Sequence, residues 1–98
     1  MKELPVPPAA KSDKKAREVV RAWVADNDLH CSLEIGTWGD KERVAWGILL
    51  TDIVRHVANA LAEKGLDKEE TVHEIRRVFN TELDSATSQA SGSFPDRK

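Results

Sequence analysis

Trp46-Gly47-Ile48-Leu49-Leu50-Thr51-Asp52-Ile53-Val54-Arg55-His56-Val57-Ala58-Asn59-Ala60-Leu61 is the stretch on which the fold turns. Trp46, Leu49, Leu50, Ile53, Val57, Ala60 and Leu61 recur every three or four positions, the period of one helix face. Asp52, Arg55, Asn59 and Glu63 occupy the opposite arc, with His56 at its edge. Val44 and Ile48 also fall on that back arc, so the first half of the helix is apolar almost all round. It should be covered on two sides. Asp40 is placed to cap the start. Lys64 and Gly65 put a cation and a left-handed position where a helix ends. Asp67-Lys68-Glu69-Glu70 then reads as a capping-box start. Val72, Ile75, Phe79 and Leu83 form one stripe of the second helix. So short a link makes the two helices antiparallel neighbours.

Upstream the period changes from 3.6 to 2. Leu29, Cys31, Leu33 and Ile35 alternate with His30, Ser32 and Glu34, and Glu18 to Ala25 is rich in Val and Trp. Asp26-Asn27-Asp28 between them is a polar turn. A two-residue loop at Asn27-Asp28 pairs position 24 with 31, 22 with 33 and 20 with 35. One face then gathers Val20, Ala22, Val24, Leu29, Cys31, Leu33 and Ile35, while Arg21 stands opposite Glu34 and Trp23 opposite Ser32. The expected class is α+β: a β-hairpin followed by an antiparallel αα-hairpin, with the apolar side of the ribbon laid across the long helix. Gly47 is read as admitting a close neighbour.

The ends have little to bury. Leu4-Pro5-Val6-Pro7-Pro8 favours extended backbone, and the chain from Ser85 onward is mostly polar. The expected organisation is a flexible tail over 1–16, one domain over 17–85 and a disordered tail over 86–98. A body of this size buries a small share of its surface and two strands alone are rarely stable, which points to a homodimer. The surface around Trp23, Val44 and Ile48 is the first place to look for its interface.

The net charge of the 98 residues is -2, so no global field calls for nucleic acid or an anionic membrane. Residues 1–17 hold five basic and two acidic side chains, a local +3 that leaves the remainder near -5. Cys31 is the single cysteine, which makes no internal disulfide and suits a reducing compartment. The start lacks a signal-peptide core, and the run Val44 to Leu50 is far shorter than the ~20 residues a membrane span needs. The expected setting is cytoplasmic, without a membrane.

Few residues point to chemistry. Asp52 and His56 are one helical turn apart, so a carboxylate could orient an imidazole as a general base needs, with Asn59 and Thr51 nearby. The plain reading is a solvated pair on the polar arc. His30 and Cys31 point to opposite faces of a strand and cannot share a metal ion. No zinc or phosphate-loop spacing occurs, and no metal or cofactor is expected. His73 is assigned to a charged face with Glu69 and Arg77. Cys31 falls on the inward face and reads as an inert buried thiol. Trp23 falls on the outer face between Arg21 and His30, where it could stack a base or anchor a partner.

Leu4-Pro5-Val6-Pro7-Pro8-Ala9-Ala10, Arg21-Ala22-Trp23-Val24-Ala25, Leu29-His30-Cys31-Ser32-Leu33, Ala45-Trp46-Gly47-Ile48-Leu49-Leu50, Asp52-Ile53-Val54-Arg55-His56-Val57-Ala58 and Ile75-Arg76-Arg77-Val78-Phe79 together resemble a family of small bacterial proteins of unknown function. The resemblance runs from about residue 3 to 88. It implies a bacterial source and a compact α+β domain, and no chemistry. Three functional readings follow. The leading one is a non-enzymatic interaction or regulatory module, with the basic, proline-containing N-terminal segment as a docking peptide. The others are a small-ligand or enzymatic site around Asp52, His56 and Asn59, and nucleic-acid binding through Trp23 and the basic tail.

Overall fold

A computed structural model describes residues 1–85 of the chain. The expected tail over 86–98 lies outside the described residues. The element order is a single helical turn α1 (Pro8–Ser12), strands β1 (Val20–Ala25) and β2 (Asp28–Leu33), a 3-10 turn (Gly39–Lys41), and helices α2 (Glu42–Ala62) and α3 (Lys68–Asp84). This is the expected α+β hairpin pair. Segment 1–16, expected as a flexible tail, carries α1, which opens on Pro8. Proline is tolerated there because the first turn needs no N–H.

The ribbon is antiparallel and its register differs from expectation. Val24 pairs with Leu29, Ala22 with Cys31 and Val20 with Leu33, so the two-residue loop is Asp26-Asn27 rather than Asn27-Asp28. Both loop residues have positive φ, 53° and 62°. A tight hairpin turn of this hand needs two left-handed residues, and Asp and Asn accept that region better than other side chains. The observed pairing also sets Val against Leu twice, which the alternative does not. The slip is two residues along the partner strand, so the same side chains share each face. Arg21 faces Ser32 rather than Glu34, and Trp23 faces His30 rather than Ser32.

The helical pair starts and stops as its sequence demands. Gly65 (φ 97°) donates to Ala62 and Leu66 donates back to Leu61, closing the end of α2. Asp67 accepts the Glu70 N–H at 3.0 Å and caps α3. Asp40 does not cap α2. It falls inside the 3-10 turn, and the helix starts at Glu42 with no side-chain cap.

Packing departs furthest from expectation. α2 packs on α3, and no Cα of either strand lies within 8 Å of one in either long helix. The ribbon does not lie on α2 within one chain, and Leu33 and Ile35 are 54% and 67% exposed. Ala58 is the one buried residue among those described. The half-buried residues Val54, Leu61 and Ala62 on α2 and Thr71, Val72 and Ile75 on α3 mark the helical seam. This seam lies to the side of the predicted stripe, so Leu50, Ile53 and Val57 remain exposed. Val44 and Ile48 are exposed too, and Gly47 has open space where a Cβ would stand. Cys31, expected buried, is exposed, and Val24, Leu29 and Leu33 on the same face are exposed with it.

By length and composition alone, Gly39–Ala62 is long and apolar enough to cross a membrane. The run of seven residues from Val44 to Leu50 understated this. Asp52 and Arg55 stand in its middle, where each would cost about 2.5–3.5 kcal/mol in a bilayer core.

Candidate functional site

The three binding candidates gather on the outer face of the ribbon. Alternation puts Arg21 and Trp23 on one side of β1, and the register sets His30 directly across from Trp23. His30 Nε2 lies 3.2 Å from the Ala25 carbonyl and donates to it when protonated there. Arg21 donates to Glu3 at 2.8 Å and to both carboxylate oxygens of Glu18 at 2.8 and 3.1 Å. The hydrogen bond from Arg21 holds the Glu18 carboxyl below its ordinary range. Arg21 thereby ties the N-terminal segment to the ribbon. Between them opens a cavity of about 940 Å³, whose lining includes Lys2, Leu4, Pro5, Pro7, Lys11 and Trp23. Trp23 is half-buried there.

The connector from ribbon to helix is built around Glu42. Its carboxylate accepts the Gly36 N–H at 2.9 Å, the Trp38 N–H at 3.1 Å and the Trp46 indole N–H at 2.9 Å. These bonds, first the one from Gly36, hold the Glu42 carboxyl below its ordinary range. Trp38 meets Trp46 edge to face with ring centres 5.9 Å apart. Arg17 and Thr37 both donate to Glu34, at 2.9 and 3.0 Å, and the Arg17 bond is the larger cause of its lowered pKa. The chain therefore leaves the ribbon and enters α2 through a hydrogen-bonded corner. Sequence reading missed Glu42 and Arg17. The available signal was Glu42 four residues before Trp46, a spacing that lets the two side chains meet on one helix face.

The catalytic candidates are not drawn together. Asp52, His56 and Asn59 are all exposed on α2. The Asp52 carboxylate pairs with Arg55 at 3.5 Å, and Thr51 donates to its own helix at the Gly47 carbonyl. His73, with Lys68, Glu69, Val72 and Arg76, lines a second depression of about 310 Å³ on α3. Arg77 pairs with Glu74. Among the described residues, no three of His, Cys, Asp and Glu gather as a metal site would require.

No curated protein matches the chain. A solved structure described as "a putative pyruvate dehydrogenase from the photosynthetic bacterium Rhodopseudomonas palustrus CGA009" is similar to it, at 29% identity and a TM-score of 0.72. The match covers 97% of this chain and 95% of that one. Residues 3–87 match the model of the family described as Domain of unknown function (DUF5076), and the chain belongs to that family.

Proposed function

We propose that this protein is a non-enzymatic interaction module that receives a segment of another protein on the outer face of its ribbon. The observation that carries this reading is the open groove between the N-terminal segment and Trp23. Its apolar floor suits a hydrophobic anchor, and a half-buried tryptophan is a frequent energetic centre of interfaces. Arg21 is engaged by Glu3 and Glu18, while Lys2 and Lys11 stand on the rim. A partner segment with one large apolar residue and flanking carboxylates complements this charge. The expected setting remains the bacterial cytoplasm.

The same neutralisation speaks against nucleic acid. Arg17 and Arg21 are both paired with carboxylates, which leaves Lys2 and Lys11 beside a single tryptophan, where single-strand binding uses successive aromatics along a basic groove. An enzymatic reading from Asp52, His56 and Asn59 finds all three exposed and outside the linings of both cavities described above.

The test is affinity capture from the source cell with three baits: the full chain, Trp23→Ala and a chain lacking residues 1–7. The expected result is a protein retained by the first and reduced at least tenfold with the other two. Equal capture by all three, or turnover of pyruvate by the purified chain, overturns the reading.

A further inference from the structure

The inner side of the ribbon presents a further problem, although Val20 and Ala22 on it also line the Trp23 groove. Val20, Ala22, Val24, Leu29, Cys31 and Leu33 form one apolar face, and among the described elements no Cα of either long helix lies within 8 Å of the ribbon. An isolated two-stranded ribbon is marginally stable at best in water. On α2 the stripe of Leu50, Ile53 and Val57 is likewise uncovered. A sheet face and a helix stripe are the two halves of an ordinary α+β layer. Here both halves exist in one chain and do not meet.

Between them Glu42 ties Gly36, Trp38 and Trp46 into one hydrogen-bonded corner. The separation shows in the surface area. The chain exposes 9015 Å², whereas a compact protein of its mass exposes about 5,600 Å². Much of that difference belongs to the N-terminal segment, exposed at every residue from 1 to 18 except Ala10; the described remainder includes Val24, Leu29 and Leu33 on the ribbon and Leu50, Ile53 and Val57 on α2. A stable interface takes about 800 Å² from each partner. The radius of gyration is 15.5 Å, against about 12–13 Å for a compact chain of this length.

We infer that a second copy of this chain covers the ribbon, each copy laying its apolar ribbon face on the Leu50, Ile53 and Val57 stripe of the other. A second copy is favoured over a foreign partner because it supplies both missing halves at once, and a reciprocal exchange closes as a two-fold dimer. Residues 86–98 hold one large apolar side chain, Phe94, against the row of six positions on the ribbon face. A bilayer would solvate the stripe on α2 and leave the ribbon face unmatched.

The experiment uses the full chain. Sedimentation equilibrium is expected to give twice the chain mass of 10.9 kDa. Unaltered chain, whose one thiol is Cys31, is then mixed with isotope-labelled Cys31→Ser chain carrying Leu50→Cys, Ile53→Cys or Val57→Cys. After oxidation, a mixed-mass disulfide is expected for at least one of the three positions. Leu33→Lys is expected to raise the dimer dissociation constant at least tenfold while the far-ultraviolet spectrum keeps its helical content. Three results overturn the inference: a monomer at high micromolar concentration, Cys31-to-Cys31 cross-linking with no mixed pair, or recovery of the chain on phosphatidylglycerol vesicles as a monomer.

Discussion

Glu42 takes three N–H groups with one carboxylate. Its lowered pKa means that its contribution to stability is fully present above the unfolded carboxyl value of about 4.3 and is lost as pH falls through the folded value. Glu34 acts in the same direction at the other end of the corner. The denaturation midpoint should therefore fall between pH 6 and pH 3, with a change in tryptophan emission as Trp38 and Trp46 separate. Glu42→Gln should lower the midpoint at pH 7 and flatten its dependence on pH. A variant with the unaltered pH profile would show that the carboxylate does not hold the corner. At the hairpin loop, Asn27 sits at φ 62°. Asn27→Gly relieves the left-handed strain and should stabilise the fold by a few tenths of a kcal/mol to about 1 kcal/mol, read from chemical denaturation.

At the scale of elements, the two helices depend on a short cap and a small contact. Asp67 caps α3, and Asp67→Ala should cost about 1 kcal/mol. Gly65 carries the left-handed end of α2 at φ 97°, and Gly65→Ala should cost about 1 kcal/mol for the same reason that glycine is found there. Ala58 is the tight point of the α2 and α3 seam at 3% exposure. Ala58→Leu should cost about 1–3 kcal/mol by forcing the helices apart, with thermal melting as the measure. These elements were legible because their signals are local. Gly65, Asp67 and the 3.6-residue period act within one turn of chain. The hairpin was legible as a shape and a pair of faces. Its register was not, because pairings that differ by two residues put the same side chains on each face. The choice between them lay in which two residues adopt positive φ.

For the whole molecule, the absence of ribbon-to-helix contact predicts a fold whose stability depends on protein concentration. Mass action raises the melting temperature of a dimer with concentration, and a hundredfold dilution should lower it by several degrees, since ~2.7 kcal/mol of linkage separates the two conditions. A melting temperature independent of concentration would mean that one chain stands alone. The candidate sites divide at this scale as well. Trp23, Arg21 and His30 were brought together by strand alternation, a two-residue period that a sequence displays openly. Asp52, His56 and Asn59 lie along one helix by the same kind of local rule, yet all three are exposed and line neither of the cavities described.

The amino-acid sequence by itself determined the ribbon, the two long helices, the Asp67 cap and the Gly65 stop, the polarity of each face and the family, since each rests on residues a few positions apart. Only the tertiary structure decided where the ribbon stands. That placement depends on Glu42 gathering N–H groups from a loop, a turn and a helix, and on whether two apolar faces meet within a chain or between chains. Neither is written in any periodicity, because a hydrophobic face records that it must be covered and carries no record of what covers it.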